Sequence, residues 1–316
     1  MIDGAKTRAS HHSSPLRYPG GKAKLASYFK AIVRKNDLLD GTYVEPFAGG
    51  AGVGLTLLLH GYVNRIVLND LSAPIYAFWH ALLKNGDRFC DQIAKVGLSV
   101  EEWERQRHIF REVNDASSFD LGFAAFYLNR TNHSGVMNGG MVGGYAQSSR
   151  YNLDARFNRD ELVARVRRVM RYRDRIAVHQ LDAQSLLTNL SEVAGVSDPL
   201  VYIDPPYYRK GRDLYYNFYR PSDHSGLRDA VIALGKDVRW VVSYDNEPDI
   251  VSLYNGQASI FYDLNYSVRN GKSGREVMFF SNNLQAPLLH EGGLADVDKG
   301  QCQGDIFAYN SCQPCE

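Results

Sequence analysis

The amino-acid sequence predicts an α/β fold: a mostly parallel sheet with helices on both faces, interrupted by a long helical insertion. Short apolar, strand-like segments alternate with helical segments, as in βαβ units. A glycine-rich turn follows the first strand and an acid ends the second, which is typical of nucleotide-binding α/β units. Residues 72–175 show helical periodicity instead, so we expect an insertion between the second and third strands.

Composition is that of an ordinary globular protein. The 316 residues are 44% hydrophobic and 22% charged, which is enough apolar content for a sizeable core in one or two domains. The formal net charge of +1 excludes a histone-like polycation but leaves room for a local basic face. No apolar run is long enough for a bilayer, the N-terminus does not resemble a signal peptide, and the four cysteines complete no zinc motif. We therefore expect a cytoplasmic protein with no membrane partner and no metal.

The first part of the chain predicts a loop and two strand units. Residues 1–14 are polar and are expected to form a flexible N-terminus. The elements that follow are a tight loop at 16–22, a helix at 23–33, a strand at 42–47, a glycine turn at 48–54, a helix from 55 and a strand at 65–70.

The insertion contains a polar, glycine-rich loop, 129–152, which is too long for a plain connector and is expected to be functional. The helix predicted at 160–175 has an apolar face and an arginine face. The chain after residue 286 lacks periodicity and is expected to be a peripheral tail, 287–316. Strands return at 176–179, 200–204, 240–244 and 277–281, with helices near 183–190 and 225–234.

The sharpest chemical signal is Val201–Tyr207, an apolar strand that runs directly into Asp204, two prolines and an aromatic ring. Consecutive prolines make a stiff turn, because each fixes φ and lacks an N–H. The acid follows the carboxyl end of its strand, where open α/β sheets bind their ligands. A strand-ending turn with a capping acid is the alternative, but the preceding nucleotide-type unit favours a functional site.

Two further segments favour a bound ligand. The turn 45–54 is glycine-rich, which lets a ligand approach the backbone, although it does not match the dinucleotide fingerprint and a hinge-like loop is the alternative. Asp70 is suited to accept hydrogen bonds from the two ribose hydroxyls of an adenosine, or to cap the following helix. Lys22 ends a proline–glycine–glycine loop that suits either an anion or a simple turn.

Taken in order, the segments YPGGK, EPFAGGAGVGL, LND, FYLNRT and DPPY resemble the Dam-type (alpha group) adenine-specific DNA N6-methyltransferases over residues 16–282. The resemblance implies a Rossmann-like, S-adenosylmethionine-dependent methyltransferase sheet with an inserted, mainly helical target-recognition domain. It assigns 15–71 and 176–286 to the catalytic domain and 72–175 to target recognition.

The resemblance also implies S-adenosyl-L-methionine as the cofactor and assigns site residues by position. The residues implied to bind it are Tyr18, Lys22, Glu45, Pro46, Phe47, Gly49, Gly52, Asp70, Asp182 and Asp204. The residues implied to act in catalysis are Asp204, Pro205, Pro206 and Tyr207. Asp204 and the carbonyl of Pro205 would accept hydrogen bonds from the N6 amino group of an adenine flipped out of the duplex, against the ring of Tyr207.

Double-stranded DNA is the implied partner of a site-specific, monomeric enzyme, with a cognate restriction endonuclease as a candidate second partner. Arginines and short polar side chains in and beside the long loop are suited to read base edges and phosphates. The residues expected to contact DNA are Arg130, Asn132, His133, Ser134, Arg167, Arg168 and Arg171.

Two alternatives stay open. The first keeps the chemistry and changes the amine to cytosine N4, an RNA adenine or a glutamine side chain; an aspartate before the prolines favours adenine in DNA. The second is a DNA-binding relative that has lost turnover, which the intact DPPY segment and glycine turn disfavour. A nicotinamide oxidoreductase is more distant, because nothing in the sequence resembles its hydride-donor site.

Overall fold

A computed structural model describes residues 13–17, 22–112, 115, 117–196, 198–208, 219–265 and 273–294. These residues form one seven-stranded sheet in the order β3-β2-β1-β4-β5-β7-β6. Strands β1 to β5 are parallel, and β7 pairs antiparallel with both β5 and β6. The strands are β1 Thr42–Glu45, β2 Arg65–Asn69, β3 Ile176–His179, β4 Leu200–Ile203, β5 Arg239–Asp245, β6 Ala258–Asn265 and β7 Ser273–Phe280. The prediction of a mostly parallel α/β sheet is confirmed.

Helices cover both faces of the sheet because successive strand residues point to opposite sides. Tyr43 of β1 joins the apolar core on one face, and its neighbour Val44 joins the core on the other. The helices are α1 Ala26–Lys35, α2 Gly52–Leu59, α3 Ala73–Lys84, α4 Gly86–Lys95, α5 Val100–Glu112, α6 Phe119–Thr131, α7 Arg159–Met170, α8 Ala183–Thr188, α9 Leu190–Ala194, α10 Pro221–Ile232 and α11 Pro248–Leu253. The described residues contain no helix with the length and apolar composition that a membrane crossing needs.

Helices α3 to α7 form the insertion between β2 and β3. Its centre is a cluster of phenylalanines in which Phe89 contacts Phe78, Phe123 and Phe126, with ring centroids 5.3–5.8 Å apart. The insertion belongs to the same continuous core as α1, α2 and one face of the sheet, so it has no separate core of its own. The helical insertion is confirmed, whereas the domain boundaries stay a prediction.

The segment after residue 286 differs from the expected peripheral tail. The hydroxyl of Tyr28 in α1 donates to the carbonyl of Pro287 at 2.9 Å, and Leu289 is buried. Gly292 packs so closely on α1 that an added Cβ would lie 2.3 Å from Cδ2 of Tyr28. The segment 287–294 therefore packs against α1 through its buried residues Pro287, Leu289 and Gly292. The rest of the predicted tail, with its three cysteines, lies outside the described residues.

Candidate active site at the carboxyl edge of the sheet

Four predicted site segments follow the carboxyl ends of neighbouring parallel strands. The turn from Glu45 follows β1, Asp70 follows β2, Asp182 follows β3 and Asp204 follows β4. Because parallel strands all end at the same edge, these segments meet there, as ligand sites of open α/β sheets do. Tyr18 lies outside the described residues.

The glycine turn after β1 is held against the end of β2 by its own backbone. The N–H of Ala48 donates to the carbonyl of Asn69 at 2.8 Å, and the N–H of Gly49 donates to Oδ2 of Asp70 at 2.9 Å. Gly49 has a φ of 46°, a left-handed conformation that glycine adopts without strain. Trp79 of the insertion donates its indole N–H to the Gly49 carbonyl at 2.9 Å, so the insertion helps to fix the turn.

Both carboxylate oxygens of Asp70 accept backbone hydrogen bonds, Oδ2 from Gly49 and Oδ1 from Ser72 at 3.0 Å. Burial raises the pKa of Asp70 to about 6, and these two N–H groups oppose the rise. The side chain is fixed at the strand end, and each oxygen keeps a lone pair for a further donor such as a ribose hydroxyl.

Glu45 lies under the turn. Its side chain is 4% exposed, and Oε1 accepts from the Tyr43 hydroxyl at 3.1 Å and from the Gly54 N–H at 2.9 Å. Pro46 is also buried, and its carbonyl accepts from Asn69. Glu45 therefore supports the turn from inside the protein, and its contact with the cofactor stays a prediction.

We expect the pH dependence of stability to report on Glu45. Burial raises its pKa from 4.5 to about 8, so across this window the folded protein keeps a proton that the unfolded chain releases. Stability from this group is lost as the pH rises. Relative to Glu45→Gln, the wild type should lose unfolding free energy on the order of 1.4 kcal/mol per pH unit within the window. Denaturant unfolding at several pH values measures this, and parallel pH curves for the two proteins would contradict it.

Asn69, which the sequence analysis missed, joins the loops that follow three strands. Its Nδ2 donates to the carbonyls of Pro46 at 2.9 Å and Leu181 at 3.0 Å, and its Oδ1 accepts from the Leu181 N–H at 2.8 Å. The side chain is fully buried. The available signal was a polar residue at the end of a buried apolar strand.

Acids and aromatic rings border the outer part of the site. Asp182 is exposed and caps α8, accepting from the N–H groups of Gln184 and Ser185. Phe47 packs edge-on against Tyr219, with ring centroids 5.7 Å apart. Burial raises the pKa of Tyr219, and nearby carboxylates, among them Asp182 and Asp70, raise it further. These contacts bring Phe47 and Tyr219 to the same edge as the two acids.

Neighbouring side chains hold the Asp204 carboxylate through one of its two oxygens. Its Oδ1 accepts from the Ser243 hydroxyl at 2.8 Å and lies 3.1 Å from Nζ of Lys22. Both contacts are made to Oδ1, so within the described part of the chain Oδ2 is left to accept from a ligand. The side chain is 24% exposed. Burial raises the pKa of Asp204, Lys22 opposes the rise, and Glu276 adds to it.

Lys22 begins a short 3-10 turn, Lys22–Leu25, and reaches two carboxylates, Asp204 and Glu276. Burial alone would lower the pKa of Lys22, but Asp204, Tyr262 and Glu276 raise it well above its ordinary value. The ammonium is therefore charged and shared between the two acids.

The ring of Tyr207 is 8% exposed, and its hydroxyl donates to Oε1 of Glu276 at 3.1 Å. Pro205 and Pro206 are buried, so the turn that aims Asp204 is packed in the protein. The N–H of Tyr208 donates to Oδ1 of Asp245 at 3.1 Å, which ties the same turn to the end of β5.

Two of the predicted DNA contacts are corrected by the structure. Arg130 is 8% exposed, and its guanidinium donates to the carbonyls of Arg156 and Pro15. Asn132 is fully buried, accepts from the indole of Trp103 at 2.7 Å, and donates to carbonyls of the loop it begins. Both side chains satisfy backbone groups inside the fold, so neither presents its polar group to DNA.

His133 and Ser134 are exposed at the start of the long loop. The helix before them is tied to the N-terminal segment, because Asn129 accepts from the N–H of Arg17 at 2.7 Å and donates to its carbonyl at 2.6 Å. Their contact with DNA stays a prediction that this placement permits.

Arg167, Arg168 and Arg171 are exposed, but they lie toward the end of α7 that leads into the amino end of β3. Arg175, just beyond them, donates to the carbonyls of Val63 and Asn64, immediately before β2. This is the sheet edge opposite Asp204, so the placement of these three arginines does not support the predicted contacts with DNA at the site.

The long loop exposes aromatic side chains that the sequence analysis did not single out. Tyr145 is 66% exposed and Tyr151 is 55% exposed, unusual values for large rings. The Arg150 guanidinium lies over the ring of Tyr151, 5.4 Å from its centroid. A flat ring with an adjacent cation is suited to bases and phosphates.

Among the residues that the structure describes, no three or more His, Cys, Asp and Glu side chains are grouped so as to hold a metal ion. The sheet, with its antiparallel β7 between β5 and β6, and the strand-end site define a Rossmann-like methyltransferase. The chain belongs to the family of D12 class N6 adenine-specific DNA methyltransferases, whose family model matches residues 18–267. The resemblance found in the sequence is thereby confirmed.

Individual relatives are distant. The chain is similar to the type II methyltransferase M.MjaIII of Methanocaldococcus jannaschii, with 22% identity over 134 residues, 38% of this chain and 46% of that protein. The chain thus spans about half the length of this curated relative. Two solved structures of the rRNA methyltransferase aviRa from Streptomyces viridochromogenes share 14% identity, cover 84% of this chain and 88% and 87% of theirs, and give TM-scores of 0.39 and 0.37. The fold assignment rests on the sheet topology of the chain itself.

Proposed function

We propose that this protein transfers a methyl group from S-adenosylmethionine to N6 of an adenine flipped out of duplex DNA. The observation that carries the proposal is Asp204: one carboxylate oxygen is fixed by Ser243 and Lys22, and the other faces no partner among the described residues. It stands beside the glycine turn, at the edge where such sheets bind ligands.

The residues at the strand ends fit this cofactor by their chemistry. The Asp70 carboxylate, held by two N–H groups, matches a pair of ribose hydroxyls, and the glycine turn that supplies one of these N–H groups fixes it at the strand end. Phe47 and Tyr219 offer aromatic surface beside Asp182. When bound, S-adenosylmethionine supplies an electrophilic methyl group on a positively charged sulfur.

The chain's own contribution is to make N6 a better nucleophile. The lone pair of the adenine amino group is delocalised into the ring, so the group reacts poorly by itself. Oδ2 of Asp204 and the Pro205 carbonyl accept the two N6–H hydrogen bonds and localise the lone pair toward the methyl group. Such catalysis depends on positioning and on preorganised polar groups. Asp204 holds the amino protons without removing one before transfer. As the N6–methyl bond forms, the sulfur–methyl bond breaks and the sulfur leaves as a neutral thioether; the extra proton on N6 then passes to water.

The base leaves the stack at a cost of a few kcal/mol. The ring of Tyr207 gives the flipped adenine an aromatic neighbour at the same turn, and stacking on such a ring is worth ~1–3 kcal/mol. Residues of the insertion, with His133, Ser134 and the exposed rings of the long loop, contact the surrounding duplex. The insertion, 72–175, thus serves target recognition in this proposal.

The experiment is methyl transfer from tritium-labelled S-adenosylmethionine to unmethylated duplex DNA. We expect label in the DNA with the wild type and background label with Asp204→Ala. Equal labelling by the two proteins would show that Asp204 does not carry the reaction. Normal DNA binding with no affinity for S-adenosylmethionine would instead identify a relative that has lost turnover.

On the DNA side, we expect Tyr151→Ala to weaken binding of a duplex substrate by ~1–3 kcal/mol, roughly 5- to 150-fold in Kd. The reason is the loss of a 55% exposed ring beside Arg150. Arg168→Gln is the matched control: it removes an exposed cation of the same insertion at the opposite sheet edge and should leave the Kd of a short duplex unchanged. Fluorescence anisotropy measures both, and a stronger effect of Arg168→Gln would contradict this assignment.

A further inference from the structure

Glu276 lies on β7, the strand next to the edge strand β6, with its carboxylate at the site. It pairs with Asp245 at the end of β5 and with Tyr262 of β6 across the two antiparallel ladders. Its side chain is 1% exposed. The next residues on the same face of β7, Met278 and Phe280, belong to the apolar core. An acid on a face that is otherwise apolar costs free energy unless it is paired, so its partners indicate its purpose.

The two carboxylate oxygens hold different groups. Oε2 accepts from the Lys22 ammonium and from the Tyr262 hydroxyl, the latter at 2.7 Å. Oε1 accepts from the Tyr207 hydroxyl at 3.1 Å. One side chain therefore contacts both the cation that holds Asp204 and the ring that follows the two prolines.

We infer that Glu276 is a positioning residue for methyl transfer, because it fixes the Lys22 ammonium that orients Asp204 and fixes the ring of Tyr207. This inference rests on the proposed function. Lys22 lies between the two acids, within 3.1 Å of Asp204 and 3.4 Å of the Ser243 hydroxyl. Without the Glu276 carboxylate, the ammonium would lose one of its two carboxylate partners, and the orientation of Asp204 would be less well defined.

The test is Glu276→Gln, which keeps the volume and an oxygen for the Tyr207 hydroxyl but removes the charge that holds Lys22. We expect kcat for DNA methylation to fall by roughly 10- to 100-fold, the loss that a small misplacement of reacting groups produces. The Kd for the same duplex, measured by anisotropy, should not change, because the Glu276 side chain is 1% exposed and the variant keeps the oxygen that holds the Tyr207 ring.

The pH profile separates positioning from simple loss of stability. In the variant, the Glu276 charge no longer acts on Asp204, and among the described residues Asp204 is the one carboxylate that still contacts Lys22. The pKa of Asp204 therefore falls. The fall of kcat at acid pH then moves to lower pH. The titratable groups that act on or lie around Asp204 are Lys22, Tyr43, Glu45, Tyr202, Tyr244, Tyr262 and Glu276. Of these groups, Glu276 alone loses its charge in the Glu276→Gln variant.

Ser281→Ala is the control, because it removes a buried polar side chain at the end of the same strand. Ser281 is 5% exposed and accepts from the Trp240 N–H at 3.1 Å, without contact to the site residues. It should lower the unfolding temperature and leave kcat and its pH profile in place. Tyr262→Phe removes one donor from Glu276 and should lower kcat by several-fold with an unchanged Kd, which tests the inference even if Glu276→Gln folds poorly.

The outcomes are distinct. An active wild type with a Glu276→Gln variant whose kcat and acid limb match Ser281→Ala would overturn this inference and leave the proposed function standing. Unchanged kcat in Tyr262→Phe would also count against it. A wild type that methylates no DNA under any condition would overturn the proposed function and this inference with it.

Discussion

Replacement of Asp204 by asparagine or alanine should lower kcat for DNA methylation on the order of 10²–10³-fold, the loss seen when one preorganised polar contact to a reacting group is removed. Asparagine keeps the shape but presents an amide N–H₂ that cannot accept from N6. Alanine removes the acceptor altogether. Both variants should still bind duplex DNA, because the loop residues that we propose to contact it are unchanged. Single-turnover kinetics with saturating DNA and cofactor measure the chemical step directly.

Asp229→Asn is the control for this change. Asp229 lies in α10 with a 68% exposed side chain and pairs with Arg228 on the surface. The Asp229→Asn substitution removes the same charge from the chain without changing the site, so the single-turnover rate of this variant should equal that of the wild type. If Asp204→Asn were as fast as Asp229→Asn, N6 activation would lie elsewhere.

Replacement of Lys22 by methionine should destabilise the protein by about 3–5 kcal/mol, the usual cost of removing one partner of a buried ion pair. Lys22 is 14% exposed and lies between Asp204 and Glu276, whose side chain is 1% exposed. Without the ammonium, the two acids repel each other in a poorly solvated site. Activity should fall as well, since one of the two groups that hold Oδ1 of Asp204 is gone. Urea unfolding at neutral pH measures the stability change.

Lys35→Met provides the comparison. Lys35 pairs with Glu291 at 3.8 Å, and both side chains are exposed by 40% or more. An exposed pair of this kind is worth about 0–1 kcal/mol, so the variant should unfold almost as the wild type does. Equal destabilisation by the two substitutions would contradict the buried ion-pair network described here.

The sheet could be predicted from sequence where its strands are buried on both faces. The segments of β2 and β4 are nearly continuous apolar runs, because parallel strands covered by helices need apolar side chains on both sides. Strand β6 was missed. It is an edge strand with a partly exposed, mixed composition, and only its pairing with β7 makes it a strand.

The site could be predicted only in part. The placement of Asp70 and Asp204 at one edge of the sheet was predicted correctly, because the ends of parallel strands converge there. Glu276 is separated from Lys22 by 254 positions in sequence, and nothing local indicates that the two side chains meet. Asn69 was missed for the same reason: its partners are set by tertiary structure.

The positions of the residues expected to contact DNA were predicted least well. Arg130 and Asn132 are polar residues at a polar loop, and the sequence favours exposure for both. In the fold they donate to carbonyls that would otherwise be unpaired at the base of that loop. For Arg168 and its neighbours, periodicity correctly identified the exposed face of α7. It carries no information on which sheet edge the end of the helix approaches.

The central claim is that Asp204 directs methyl transfer to an adenine amino group in DNA, and nucleoside mass spectrometry tests it most directly. Duplex DNA from a methylation-free host is incubated with the protein and S-adenosylmethionine, then digested to nucleosides. We predict N6-methyladenine as the new product with the wild type and none with Asp204→Ala. N4-methylcytosine as the sole product, or N6-methyladenine at equal yield from both proteins, would contradict the claim.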